Sequence, residues 1–152
     1  MADRIAIASD HAAFEMKAFL VDWLRAQGRE VVDLGPANAD SVDYPDYGYR
    51  LARAIAGGEA VTGVALCGSA IGISIAVNRE PACRCALVSE PLSAGLARAH
   101  NDANVIAMGA RTVGPEMAKA CLAAFLSTPF EGGRHQRRVD QLSHPTLTKE
   151  PA

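Results

Sequence analysis

The stretch Cys67-Gly68-Ser69-Ala70-Ile71-Gly72 is where this chain looks most able to do chemistry. An apolar run, residues 63–67, leads into it, and a helical pattern follows to about Asn78. A turn of two glycines and small residues exposes successive backbone N–H groups, which with a helix N-terminus cradle an anion. That anion could be a phosphate or an oxyanion that develops during reaction. The spacing is not G-x-G-x-x-G after a first strand, which would bind a dinucleotide. Nor is it a cysteine-phosphatase loop, because Ile73 stands where that loop needs Arg. Cys67 sits beside the N–H groups, where a thiolate is favoured and sulfur can act as base or nucleophile. A tight turn that happens to contain Cys accounts for the same residues without chemistry.

Three other groups of polar residues stand out. Asp10-His11 follows the first apolar run; the His could bind phosphate or move a proton, and Asp could orient a hydroxyl. Either residue could equally cap the helix that follows. His100-Asn101-Asp102 closes a later helix, where a His is also stabilised simply as a C-terminal cation. Arg134, His135, Arg137 and Arg138 form a basic cluster, with Arg134 and Arg138 one helical turn apart so that two planar forks can converge on one anion. A solvated basic tail is the plainer alternative. Of the four cysteines, none forms a C-x-x-C pair, and Cys83 and Cys85 lack a neighbouring His to complete a zinc site. No metal is expected, and Cys83, Cys85 and Cys121 read as small core residues.

Positioning these groups falls to a chain of 152 residues, one domain's worth. Of its 75 apolar residues 29 are Ala, so the core must be filled by small, closely packed side chains. Charged residues make up 21% and the net charge is −2, which excludes a disordered chain and gives no basic excess for nucleic acid. Residues 60–78 carry no charge, a length that could span a membrane. Their glycines, serines, Thr62 and Asn78 fit a buried strand, turn and helix better, so no membrane segment is expected. The N-terminus shows no apolar run of signal-peptide length, so the expected compartment is the cytoplasm, with free thiols.

Apolar runs at residues 4–9, 30–34, 63–67, 84–88 and 105–108 read as strands, apolar on both faces. Helical patterns at 14–27, 47–56, 72–78, 91–100 and 114–127 separate or follow them, with residues 37–46 a loop and a short helix after Glu131. The alternation predicts a single three-layer αβα sandwich of the α/β class, with a five-stranded parallel sheet that is Rossmann-like and doubly wound. Residues 1–142 would form the domain and 143–152 a flexible tail. Ligands in such sheets bind beyond the carboxyl ends of the strands, which puts Asp10-His11, Tyr44, residues 67–72 and Ser89-Glu90 on one edge.

Six words, SDHAAFEMK, DYPDYG, CGSAIGISIAVN, SEPLSA, RAHNDANVIAMGAR and EGGRHQRRV, occur in the order and spacing of one family. Together they resemble the type B ribose-5-phosphate isomerases and their galactose-6-phosphate isomerase relatives, to about Leu142. The resemblance implies an aldose–ketose isomerase that works through an enediolate, without cofactor or metal. It implies Cys67 as the base that removes the proton alpha to the carbonyl, in the branch that lacks Glu at the position of Ile73. Ser69 would shuttle a proton between the substrate oxygens, and the backbone of Gly68, Ala70, Ile71 and Gly72 would hold the enediolate. His100, with Asp10, would open the furanose ring. His11, Arg134 and Arg138 would grip phosphate, with Asn101, Arg111 and Tyr44 lining the pocket. It further implies a homodimer or dimer of dimers with shared active sites, His100, Asn101 and the Arg cluster reaching a neighbour's Cys67 loop. Ala13 and Ala70 depart from the family, which commonly has Gly there. The substrate would be D-ribose 5-phosphate, or alternatively a tetrose 4-phosphate, allose 6-phosphate or galactose 6-phosphate. A non-catalytic sugar-phosphate binding module and a thiol redox protein remain as alternatives.

Overall fold

The computed structural model describes residues 3–148. Its five strands are β1 (Ile5–Ser9), β2 (Val31–Asp33), β3 (Thr62–Cys67), β4 (Cys85–Leu87) and β5 (Val105–Gly109). They form one parallel sheet in the order β2-β1-β3-β5-β4. The helices are α1 (Phe14–Ala26), α2 (Tyr44–Ala56), α3 (Ile71–Val77), α4 (Pro91–Asn101), α5 (Pro115–Ser127) and α6 (Gln136–Ser143). This is the expected three-layer α/β fold. After β1 the chain passes to β2 on one side and then to β3 on the other, so a crevice opens between the carboxyl ends of β1 and β3.

Alternation along the strands sorts the core into two unequal halves. Ile5, Ile7, Val64, Leu66, Ile106 and Met108 face α1, α4 and α5, and pack with Leu20, Leu24, Leu122 and Phe125. The opposite face of the sheet offers mostly Ala6, Ala8, Ala65 and Ala107 to α2 and α3. Alanine is therefore concentrated where two helices lie close over the sheet, and Cys67 belongs to that thin side.

Several boundaries differ from the sequence reading. Helix α2 starts at Tyr44 rather than Tyr47, because Pro45 occupies its first turn with φ already suited to a helix. Tyr44 is thereby mounted on a helix, not a loop. Strands β2 and β4 are only three residues long and half-exposed, since they are the sheet's edges and each is covered less fully than β1, β3 and β5. Ser143 closes α6 instead of opening a tail. Of the expected tail, residues 149–152 lie outside the described residues. The uncharged stretch from Ala60 to Asn78 forms β3 and α3, and among the described residues no helix is long and apolar enough to cross a membrane.

Candidate active site

Cys67 is the last residue of β3 and is 4% exposed. Its Sγ accepts a hydrogen bond from the N–H of Ala70 at 3.0 Å, which pins the sulfur inside the loop that follows. Ser69 is exposed, and its Oγ accepts from the N–H of Ile71 at 3.2 Å. Two of the N–H groups that could cradle an anion thus already hold the loop's own sulfur and hydroxyl. Ala70 has φ 63° and ψ −2°, the left-handed region that costs a residue with a Cβ roughly 1–2 kcal/mol. Its methyl is fully buried, pointing into the core rather than into the cradle. The loop is strained there, and its lower edge is the helix α3.

The loop is braced from three sides. The N–H groups of Ala110 and Arg111 donate to the carbonyls of Cys67 and Gly68, both at 2.9 Å. The Arg111 side chain lies along Gly68, where an added Cβ would come within 3.3 Å of Nη1. The Tyr44 ring lies against Gly72, where a Cβ would meet ring carbons at 2.5 Å. At Gly109, the carboxyl end of β5, a Cβ would fall 2.7 Å from the Ser69 carbonyl carbon and 2.9 Å from the Gly68 oxygen. Gly109→Ala must therefore push the Cys67 loop away from the sheet. We expect it to lose about 2–3 kcal/mol of stability in urea unfolding, with activity falling more steeply than in a surface control such as Gly114→Ala, where a Cβ meets nothing.

Asp10 and His11 stand across the crevice at the end of β1. Asp10 is 8% exposed, and its Oδ1 accepts from the N–H of Ala13 at 3.2 Å; it does cap the following turn. Its other carboxylate oxygen remains available to a ligand. His11 Nδ1 lies 3.1 Å from the nitrogen and 3.2 Å from the oxygen of Val42, so either tautomer finds a backbone partner. That anchoring leaves Nε2 as the atom for a ligand. Glu90, expected on this edge, is taken up by capping: its carboxylate accepts from the N–H groups of Ser93 and Leu92, and the Ser93 side chain, together with those N–H groups, holds its proton affinity below the usual carboxylate value.

One chain brings together Asp10, His11, Tyr44, Cys67, Gly68, Ser69, Ala70, Ile71, Gly72 and Arg111, but not the rest. Helix α4 runs back to the other end of the sheet, and His100 and Asn101 are its last residues. Four residues later Val105 pairs with Gly63 at the start of β3, whereas Gly109 pairs with Cys67 at its end. The two clusters are thus separated by the length of the sheet, about 13 Å along β5. Arg134 and Arg138 stay with His100: the N–H of Glu131 donates to the carbonyl of Ala99 at 3.0 Å, and His135 stacks on His100. Both arginines are exposed, and neither is paired with a carboxylate among the described residues. Asp10 and His100, implied to act together, lie at opposite ends of the sheet within one chain.

The other three thiols lie outside this loop, Cys83 after α3, Cys85 on β4 and Cys121 on α5. Burial, reinforced by Glu80, pushes Cys83 up to about 11, and burial, reinforced by Cys83, pushes Cys85 up to about 12. Cys121 is raised as well, chiefly by burial. These three stay protonated and serve as core. All four cysteines are free, so no disulfide is built in.

The family model for ribose/galactose isomerases matches residues 5–142. The chain belongs to the ribose/galactose isomerase family. As a member of it, the protein is an enzyme, an isomerase of phosphorylated sugars. It is 45% identical over 140 residues to ribose-5-phosphate isomerase B of Escherichia coli, covering 92% of this chain and 94% of that protein. It is 39% identical to D-erythrulose-4-phosphate isomerase of Pectobacterium atrosepticum, over 92% of this chain and 93% of the other. Among solved structures, a ribose 5-phosphate isomerase of Thermotoga maritima superposes with a TM-score of 0.91 at 46% identity, covering 94% of this chain and 99% of that one. The type B enzyme of Trypanosoma brucei gives 0.90 at 42% identity, over 94% and 98%.

Two residues of the second cluster escaped the sequence reading: Glu131, and His135, which passed as part of a basic run. Their i, i+4 spacing across Gly132-Gly133 was the available signal.

Proposed function

We propose that the protein interconverts D-ribose 5-phosphate and D-ribulose 5-phosphate through an enediolate, in a homodimer whose sites are each shared between two chains. The observation that carries the chemistry is Cys67 Sγ, held by the Ala70 N–H beside the Ser69 hydroxyl at the mouth of the β1–β3 crevice. As thiolate, Cys67 removes the proton from C2 of the open aldose. The electron pair forms the C1–C2 double bond, and the former carbonyl oxygen becomes an oxyanion facing the N–H groups of the loop. Ser69 passes the hydroxyl proton from O2 to O1. The Cys67 thiol then returns its proton to C1, leaving the ketone at C2. Base, proton shuttle and oxyanion donors all come from one loop, and the proton inventory balances within it.

The other requirements lie at the far end of the sheet, which is why a second chain is part of the reading. Ile71 and Ile75 on α3, Leu87 on β4, and Leu92 and Leu96 on α4 are all more than 40% exposed. The pairs on α3 and α4 are at i, i+4 spacing and flank the edge strand β4. A second copy covering this face would bury them and could bring its His100, Asn101, Arg134 and Arg138 to this chain's Cys67 loop. His11 and Arg111 would then grip the phosphate together with the neighbour's arginines, while Asp10 and the neighbour's His100 open the ring. Tyr44 and Asn101 would line the sugar. The free thiols fit a cytoplasmic enzyme.

A second reading keeps the chemistry and shortens the sugar, favoured by the D-erythrulose-4-phosphate isomerase among the relatives. Turnover across four-, five- and six-carbon aldose phosphates separates the two. We expect the highest kcat/KM on D-ribose 5-phosphate; a faster tetrose 4-phosphate would replace the substrate while leaving the machinery unchanged.

A further inference from the structure

His100, Glu131 and His135 form a cluster that the reaction as described uses only through His100. The two imidazoles are stacked, with centroids 4.4 Å apart and planes within 12° of parallel. Glu131 Oε2 lies 3.4 Å from His135 Nε2 and 3.9 Å from His100 Nε2. His135 is 8% exposed, and its Nε2 has no hydrogen-bond partner among the described residues. A buried polar atom left in that state is costly, and a function is a sufficient reason to keep it.

The local chain is built to make this stack. Gly132 and Gly133 both have positive φ, 65° and 53°, so the backbone turns back on itself just before Arg134 and His135. Glu131 is tied by its N–H to Ala99, the residue preceding His100, and the N–H of His135 donates to the carbonyl of Gly132 at 3.0 Å. The loop therefore carries His135 and Glu131 to the end of α4 and nowhere else. The His100 side chain is 38% exposed, and one of its faces is covered by the buried ring. Without that ring, an imidazole at a helix end would turn freely about two torsions.

A divalent metal is the other ligand such a trio suggests. The stack argues against it: imidazole lone pairs lie in the ring planes, and near-parallel planes offer no common point at bonding distance from both nitrogens.

We propose that His135 is a positioning residue for ring opening: its buried imidazole holds His100 in one orientation by stacking, with the Glu131 carboxylate facing both rings. The proposal rests on the reading that His100 takes part in opening the furanose. That step takes a proton from the C1 hydroxyl, breaks the bond from C1 to the ring oxygen and returns a proton to that oxygen. His100 is at the proton's end of this transfer, and a misplacement of about 1 Å there can cost on the order of 100-fold.

The test separates ring opening from the later chemistry. D-ribulose 5-phosphate cannot close a furanose, because its 5-oxygen carries the phosphate. Exchange of its C1 hydrogen with D2O therefore reports the Cys67 base alone. We expect His135→Ala to slow consumption of D-ribose 5-phosphate by about 10- to 100-fold, while exchange stays within about twofold of wild type. His135→Phe restores a flat ring for stacking and should bring consumption back to within about threefold. An equal fall in both assays, no fall in either, or a Phe variant as slow as the Ala variant would overturn the proposal. Failure of the underlying reading looks different: Cys67→Ala would retain exchange, or His100→Asn would retain full consumption of the aldose.

Discussion

Two inactive variants, Cys67→Ala and His100→Asn, should regain activity when their subunits are unfolded together and refolded as a mixture. If each site takes Cys67 from one chain and His100 from the other, a mixed dimer has one doubly damaged site and one intact site. Random pairing makes half the dimers mixed, so recovery approaches about a quarter of wild-type turnover. A site built within one chain gives the opposite result, because every site in every dimer would then contain one lesion. The expectation follows from the separation of the clusters along β5, since Gly109 pairs with Cys67 while α4 delivers His100 to the start of that strand. Activity measured against mixing ratio should peak at equal amounts. No recovery at any ratio, with dimers confirmed by light scattering, would sink the shared site.

Cys67→Ala alone should lower kcat by on the order of 10³-fold, within the span expected for loss of a general base. KM should change little, because the sulfur acts on the transition state more than on the bound sugar. The substitution also leaves the buried Ala70 N–H without its acceptor, a loss of about 1–2 kcal/mol in stability. Cys67→Ser separates the two consequences. Its oxygen can accept from Ala70 and recover most of the stability, yet a serine hydroxyl is a poor base near neutral pH, so turnover stays low. Full activity in either variant would remove Cys67 from the mechanism and pass the role of base to another group.

The sheet could be read from the chain because its central strands are apolar runs with sharp ends. Gly63 to Leu66 and Val105 to Met108 contain no polar residue, and only a strand covered on both faces tolerates that. The edge strands were harder. Val31 to Asp33 and Cys85 to Leu87 are half-exposed, and their apolar flanks extend the pattern past the last ladder bond. The Asn, Asp, Ser and Pro before Tyr47 read as turn residues and so put Tyr44 in a loop, although Pro45 is equally suited to a helix's first turn.

For the site, residue types and their order were legible, but their grouping in space was not. Nothing in the spacing of Asp10 and His100 says that a helix carries one of them to the opposite end of the sheet. Ala70 was visible as a methyl in a small-residue loop, yet its left-handed backbone, and the burial that turns the methyl inward, depend on tertiary contacts. His135 was masked by its neighbours: between Arg134 and Arg137 it looks like one more surface cation, and only the fold shows its ring buried against His100.

The placement of the two polar clusters at opposite ends of the sheet has a kinetic consequence. If, as proposed, the halves of a site lie on different chains, the catalyst comes into being only when two chains meet. Well below the dissociation constant of the pair, the rate should rise as the square of chain concentration, and turnover per chain should fade on dilution even though every chain remains folded. Protein abundance would then set not only how much catalyst is present but what fraction of it is switched on.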